Sequence, residues 1–338
     1  MEIKNYHSTN FITGLRGYAI LMVLIIHYGG FGLRSFGIVG NNIVDAGKNG
    51  VFIFFVISGF AITHSFLNGS TYKEFLIRRV FRIIPMFYLT ILLFWALGIQ
   101  NGWMERFNQS YSPYNLLAHF LFLFSWDYSV AFTIPGVEWT LGIEIFWYIL
   151  LPLVLKNFSY KKALILIVAI VAINYANKHF IIPLYNNDLA YHISPLRYGY
   201  VFLMGSLSYY IRKRIDYTIP YIYELLTIIA IVALFWCLYS NEGSLFLYSL
   251  ITFIFIVSGH ENNKISSVVF ENKLALIIGT ISYSLYLVHI LVIEILPKQS
   301  DLIYHYYYCL IAIVVSIITY HLVEKPCNRI VNSLFKKD

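Results

Sequence analysis

Long apolar runs separated by short charged segments make up most of this 338-residue chain. A helix needs about 20 mostly apolar residues to cross the hydrocarbon core of a bilayer. By that criterion the pattern predicts ten spanning helices, near residues 12–30, 48–66, 83–99, 139–155, 162–178, 196–211, 219–239, 244–259, 275–296 and 303–322. The run YNLLAHFLFLF at 114–124 is too short to cross and is predicted to be a re-entrant or interfacial segment.

The scarcity of charged residues excludes a soluble body behind a signal peptide. Only 12% of the residues are charged and 59% are hydrophobic, whereas soluble domains carry about 25% charged residues. Because this deficit extends along the whole chain, we expect an all-α, multi-pass membrane protein that forms a single transmembrane domain over residues 1–338.

The distribution of basic residues predicts the orientation. The net charge is +7, but the Lys and Arg residues lie between apolar runs and do not form a patch of the kind that binds nucleic acid. With the N-terminus inside, basic residues in the inner segments outnumber those in the outer segments about three to one, as the positive-inside rule requires. Both termini are therefore predicted to be cytoplasmic.

The cysteines offer neither a disulfide framework nor a metal site. The chain has three, Cys237, Cys309 and Cys327, which are far apart in sequence. No Cys or His spacing typical of a metal site occurs, so we expect no metal.

The first predicted helix, GLRGYAILMVLIIH, carries two ionisable residues in an otherwise apolar run. The eleven steps from Arg16 to His27 correspond to about three turns and about 16.5 Å of α-helix, so both side chains share one face. Ionisable groups inside a membrane are costly and usually face a protein interior or a watered cavity. Arg16 is either a snorkelling anchor or an anion ligand, and His27 is either a buried, hydrogen-bonded histidine or a group for proton chemistry.

A basic segment, FLIRRVFRIIPMFY, follows the second predicted span. Arg78, Arg79 and Arg82 have helical spacing that places them on one side, and Pro85 indicates a helix start or a kink. The cluster exceeds what orientation alone needs. Because a guanidinium matches phosphate oxygens bidentately, a cytoplasmic ligand with several phosphates would suit it.

Six segments, in order, resemble the acyltransferase-3 family of integral membrane acyltransferases, which includes bacterial polysaccharide O-acetyltransferases. They are LRGYAILMVLIIH, FFVISGFAIT at 54–63, IRRVFRIIPMFY at 77–88, EWTLGIEIFWYILLP at 138–152, ISYSLYLVHI at 281–290 and HLVEKP at 321–326. Two departures from the family pattern occur, Phe52 and Ile145, where relatives often have acids.

The resemblance implies roles for several of these residues. His27 matches the histidine thought to be the catalytic base, and Arg16 matches the arginine paired with it. The cluster at 78–82 matches the motif thought to hold acetyl-CoA. In this hypothesis the arginines bind the nucleotide end of the cofactor, and its pantetheine arm extends along the first helix towards His27.

Glu144 is the second catalytic candidate, and Tyr148, Ser58 and His289 are weaker ones. Glu144 matches the family's carboxylate and shares a helix face with Thr140 and Tyr148. It is interpreted either as orienting His27 or as part of a structural ion pair. Ser58 is expected to be a small packing residue beside Gly59 rather than a nucleophile, and His289, which matches a late family histidine, is expected to be structural or gating.

The function implied by the resemblance is transfer of an acetyl group from cytoplasmic acetyl-CoA to a hydroxyl of a cell-surface glycan, such as O-antigen, capsule or exopolysaccharide. The expected location is the bacterial inner membrane. The expected partners are acetyl-CoA, a glycan or lipid-linked saccharide and membrane lipid, with no nucleic acid. Many relatives carry a fused extracytoplasmic domain, and none is expected here. The alternatives are a different acyl group, such as succinyl, and a transporter or flippase of a glycan or lipid.

Overall fold

The computed structural model describes residues 10–156, 158–181, 188–215, 217–260, 262–297 and 301–335. These residues form helices joined by turns and loops, and none of them lies in a β-strand, so the predicted all-α class is confirmed. The α-helices in chain order are α1 (Asn10–His27), α2 (Gly37–Ala46), α3 (Gly50–Leu67), α4 (Tyr72–Ala96), α5 (Gly102–Arg106), α6 (Pro113–Phe120), α7 (Trp139–Leu155), α8 (Tyr160–Ala176), α9 (Asp188–Ile193), α10 (Gly199–Arg212), α11 (Pro220–Ser240), α12 (Leu245–Ser258), α13 (Lys264–Phe270), α14 (Lys273–Thr280), α15 (Ser282–Ile295), α16 (Leu302–Thr319) and α17 (Lys325–Leu334).

Each predicted span falls on a helix, but not every helix is long enough to cross alone. Within the described residues five helical stretches are long and apolar enough, and a sixth arises if α14 and α15, which meet at 71°, count as one broken span. α7 and α12 are apolar but shorter. The number of ten crossings and the cytoplasmic termini therefore stay predictions, while a membrane-embedded helical protein is supported.

The chain divides into two compact units. The first comprises residues 1–61 and 204–282, and the second comprises residues 62–203 and 283–338. The candidate site residues on α1 and α3 belong to the first unit, and those on α4, α7 and α15 belong to the second.

In the first unit, α1 packs closely against α14 because glycines remove side chains from the contact. A Cβ atom built on Gly17 would lie 3.2 Å from the main-chain nitrogen of Gly279, and one built on Gly279 would lie 3.2 Å from the nitrogen of Gly17. These contacts are with main chain, which cannot move aside as a flexible side chain can. The helix that carries Arg16 and His27 is therefore held at a fixed distance from α14.

In the second unit, α4 begins at Tyr72 rather than near residue 83, and Pro85 lies inside it. The expectation that Pro85 starts a helix is wrong. The N-terminus is set by a capping box, in which Glu74 N donates to Thr71 Oγ1 at 3.3 Å and Thr71 N donates to Glu74 Oε2 at 3.0 Å. This box supplies partners for helix-initiating N–H groups, and neighbouring helices allow a proline to persist within a membrane helix.

The short apolar run at 114–124 does not form a spanning helix. α6 ends at Phe120, and a 3-10 turn follows from Leu123 to Ser125. The eight residues of α6 rise only about 12 Å. The structure thus supports a segment that does not cross as one helix, and both the re-entrant and the interfacial alternatives stay open.

We predict that Gly17→Val lowers the melting temperature of the purified protein. The added side chain has no room against the main chain of α14, and overpacking of this kind costs about 1–3 kcal/mol. Thermal unfolding in detergent would be measured for this variant beside Gly243→Ala, since a Cβ on Gly243 meets nothing within 4 Å. Equal melting temperatures for the two variants would contradict the close contact.

Candidate active site

The two ionisable residues of the first helix lie on one continuous element. α1 runs from Asn10 to His27 without a break, which confirms that Arg16 and His27 are separated along a single helix face. Arg16 is half-buried, whereas His27, the last residue of α1, has an exposed side chain.

The main chain fixes the tautomer of His27. Its Nδ1 lies 2.8 Å from the carbonyl oxygen of Val23, one turn earlier. A carbonyl oxygen can only accept a hydrogen bond, so Nδ1 carries the hydrogen and Nε2 of the neutral ring keeps its lone pair. His27 therefore has the form that a general base requires.

Two of the three arginines of the basic segment belong to a cluster of charges in the second unit. Arg79 is buried, with its guanidinium 5.4 Å from the ring centroid of Phe75 and 5.5 Å from that of Tyr148. The Tyr148 hydroxyl donates to Glu144 Oε2 at 3.2 Å. Arg79 and Arg82 both lie within electrostatic range of Glu144.

Glu324 is a site residue that the sequence pattern did not single out. It is buried, accepts a hydrogen bond from Ser284 Oγ at 2.9 Å and interacts electrostatically with Arg82. It ends a π-helical turn over Tyr320–Glu324, and such turns are frequent at functional sites. The sequence feature that could have identified Glu324 is its place as an acid directly after an apolar run, in the segment HLVEKP at 321–326.

The charges of this cluster balance. Arg79 and Arg82 each bring one positive charge, and Glu144 and Glu324 each bring one negative charge. A buried ion pair needs good compensation to offset its desolvation. The two arginines thus lie within electrostatic range of the protein's own carboxylates, which the sequence did not predict for Glu324.

Arg78 has a different environment, although it is adjacent to Arg79 in sequence. Its guanidinium donates to Asn332 Oδ1 at 3.3 Å and to the Phe335 carbonyl oxygen at 3.5 Å, and it lies 5.5 Å from the Phe335 ring centroid. These partners are uncharged. The three arginines therefore do not act as one surface, since Arg78 faces the C-terminal helix α17 and its end while Arg79 and Arg82 face carboxylates.

A fully buried His119–Glu138 pair is the second feature that sequence reasoning missed. His119 Nδ1 lies 2.8 Å from the Asn115 carbonyl oxygen, and Nε2 lies 3.2 Å from Glu138 Oε1. Glu138 also accepts N–H bonds from Ile134 at 3.3 Å and Gly136 at 2.6 Å. Both ring nitrogens of His119 and both carboxyl oxygens of Glu138 thus have partners inside the protein. The pair fixes the loop that leads into α7.

The remaining candidates have structural surroundings. His289 is fully buried, with Nδ1 3.1 Å from the Leu285 carbonyl oxygen. Thr140 Oγ1 lies 2.9 Å from the Tyr286 hydroxyl. Next to Ser58, a Cβ built on Gly205 would lie 3.0 Å from the Gly59 Cα, a close helix approach that favours the packing interpretation of Ser58.

The structure brings Arg79, Arg82, Glu144 and Tyr148 together in the second unit. Arg16, His27 and Ser58 lie in the first unit. The predicted orientation of His27 by Glu144 therefore stays a prediction.

These features define a helical membrane protein with a histidine in base form and compensated charges inside it. A family model described as an acyltransferase domain matches residues 9–324. The chain belongs to this acyltransferase-3 family, so the resemblance drawn from the six motifs is confirmed and the protein is an acyltransferase.

Relatives in this family carry acetyltransferase names. One, from Acidianus two-tailed virus, is named as an acetyltransferase and is 26% identical over 309 residues, which cover 87% of this chain and 85% of that protein. One from Staphylococcus aureus strain COL is named as an O-acetyltransferase and is 23% identical over 359 residues, which cover 94% of this chain but 57% of that protein. Nodulation protein 10 of Rhizobium leguminosarum bv. viciae is 29% identical over 176 residues, 47% of each chain. No solved structure matches the chain.

We predict that Glu138→Gln lowers the melting temperature strongly. It alters one partner of a fully buried His–Glu pair, and breaking a buried ion pair on one side costs about 3–5 kcal/mol. The double variant His119→Leu/Glu138→Leu removes both polar partners and is expected to recover part of that loss. An unchanged melting temperature for Glu138→Gln in detergent would contradict the contribution of this pair to stability.

Proposed function

We propose that this protein transfers an acetyl group from cytoplasmic acetyl-CoA to a hydroxyl of a cell-surface glycan, in the bacterial inner membrane. Membership of the acyltransferase-3 family supports an acyl-transfer reaction over a transporter or flippase. The names of two relatives favour acetyl as the acyl group and oxygen as the acceptor atom. Transfer of another acyl group, such as succinyl, is the alternative within the same class.

The observation that carries the proposal is the tautomer of His27. Transfer from a thioester to a hydroxyl needs a group that takes the hydroxyl proton. Because Nδ1 of His27 carries its hydrogen towards Val23, Nε2 is the atom that accepts this proton. We assign His27 as the general base, and Arg16, on the same helix face, as a ligand for an anionic part of the donor.

Arg78 is the arginine that we assign to the phosphates of acetyl-CoA. The partners named for Arg78 are uncharged, so a phosphate would add strong charge-assisted hydrogen bonds to this residue. Arg79 and Arg82 already lie within electrostatic range of Glu144, and Arg82 also of Glu324. We therefore propose that Arg79 and Arg82 support the site from within the protein. Glu144 stays our second catalytic candidate.

We predict that His27→Ala abolishes O-acetylation of the host's surface glycans. NMR of purified glycans would be recorded for the wild-type strain, a deletion strain and the His27→Ala strain at matched membrane abundance. His64→Ala, a second histidine in an apolar helix, serves as the control and should keep wild-type acetylation. Loss of O-acetyl signals in the deletion and His27→Ala strains is the expected result.

Full acetylation in the His27→Ala strain would contradict the role of His27 as base. A deletion strain with unchanged acyl groups but a different set of glycans at the surface would favour transport instead. The glycan that loses its acetyl groups identifies the acceptor.

We predict that Arg78→Gln raises the KM for acetyl-CoA about 10- to 100-fold, because a hydrogen bond to a charged group contributes about 1.5–3 kcal/mol. Arg34→Gln, which removes an exposed ion pair with Asp45, is the matched control and should leave KM unchanged. Steady-state kinetics with acetyl-CoA and succinyl-CoA would also identify the preferred donor. A normal KM in Arg78→Gln would refute the assignment of this residue to the phosphates.

A further inference from the structure

Two buried side chains of the first unit carry donor groups that have no hydrogen-bond partner among the described residues. Asn49 is 1% exposed and Tyr248 is 0% exposed. Among the described residues, neither the Asn49 side-chain nitrogen nor the Tyr248 hydroxyl has a hydrogen-bond partner. Leaving a donor unsatisfied in a protein interior costs about 1–3 kcal/mol. Unpaired groups of this kind therefore call for an explanation.

The two groups meet at one place. Asn49 immediately precedes α3, and Tyr248 lies in the first turn of α12. The two side chains are within interaction range of each other, although their geometry does not make a hydrogen bond. Phe52, one turn after Asn49, packs edge-on against the Tyr248 ring at 6.4 Å between centroids. Two donors thus lie close together in the interior of the first unit.

This place adjoins the helix that ends at His27. The residues on both sides of Asn49 pack on the last turns of α1. A Cβ atom built on Gly47 would lie 3.2 Å from the Cβ of Ile26, and one built on Gly50 would lie 3.2 Å from Cγ2 of Val23. Val23 is the residue whose carbonyl oxygen holds the ring of His27. The donor pair and the proposed base therefore belong to the same part of the first unit.

Acyl transfer needs such donors. When an oxygen nucleophile adds to a thioester, the carbonyl oxygen becomes an oxyanion, and preorganised N–H and O–H groups lower the barrier by binding it. Asparagine and tyrosine side chains both serve this purpose in proteins. Buried donors without competing partners are preorganised, because no internal hydrogen bond must break when the charge develops.

We propose that Asn49 Nδ2 and Tyr248 OH form the oxyanion-stabilising pair of the acyl-transfer reaction. This inference rests on the function proposed above and adds two catalytic residues to it.

The acceptor hydroxyl oxygen forms a bond to the thioester carbon while its proton passes to His27 Nε2. The carbonyl electron pair moves to oxygen, where Asn49 and Tyr248 each donate a hydrogen bond. The carbonyl then re-forms, the carbon–sulfur bond breaks, and the departing CoA sulfur takes the proton from His27. The base is regenerated and no redox partner is needed.

The test separates activity from stability. Tyr248→Phe and Asn49→Leu each remove a donor while keeping the shape of the side chain. CoA thiol release from acetyl-CoA would be measured on purified protein in lipid nanodiscs, with the surface-glycan fraction of the host as acceptor. We expect kcat to fall about 10²- to 10³-fold for each variant with KM for acetyl-CoA unchanged. The melting temperature should not fall in Tyr248→Phe, because the lost hydroxyl makes no hydrogen bond to any described residue.

The matched control is Tyr217→Phe in the same unit. The Tyr217 hydroxyl donates to the Val257 carbonyl oxygen at 3.0 Å, so its loss should lower the melting temperature and leave kcat unchanged. Should Asn49→Leu fail to fold, Asn49→Ser, which keeps a shorter polar group, takes its place and should show an intermediate kcat.

Two outcomes are informative against the inference. Wild-type kcat in both Tyr248→Phe and the Asn49 variant, on an active wild-type protein, overturns the oxyanion assignment and leaves the proposed function intact. Absence of CoA release by the wild-type protein itself overturns the proposed function and also the oxyanion assignment that rests on it.

Discussion

The cost of a charge in a low-dielectric interior is the constraint on which this structure depends. In a membrane protein, ionisable side chains within the helices must find counter-charges or polar partners inside the protein. The second unit meets this requirement twice, with Arg79 and Arg82 beside two glutamates and with the His119–Glu138 pair. These clusters join segments that are separated in sequence. The charges are therefore compensated only when the segments pack together in the fold.

The first unit follows a different rule. Its helices approach closely through glycines, as between α1 and α14, and buried carboxylates play little part in the contacts described. Close packing fixes the position of α1 and therefore of its final residue, His27. It also places the chain around Asn49 against the last turns of α1. A rigid surrounding of this kind suits proton transfer and oxyanion binding, which depend on distances kept within a fraction of an ångström.

Three arginines that are close in sequence have different surroundings and therefore different roles. Arg79 faces aromatic rings and is electrostatically coupled to Glu144, whereas the partners of Arg78 among the described residues are neutral oxygens and the Phe335 ring. The same fork of donors that stabilises a buried network in one case suits a phosphate in the other. Partner charge, rather than residue type, decides between these uses.

The sequence by itself determined the all-α membrane class, the approximate places of the long apolar helices, the family and the spacing of Arg16 and His27, because hydropathy, helical periodicity and motif order are local properties of the chain. It did not reveal Glu324 as a partner of Arg82, the His119–Glu138 pair or the meeting of Asn49 with Tyr248. Each of these joins residues distant in the chain, and only tertiary packing brings them together. The start of α4 was also readable from local sequence, because the Thr71–Glu74 capping box is a local motif. The predicted start near residue 83 missed it, since Pro85 also suggested a helix start.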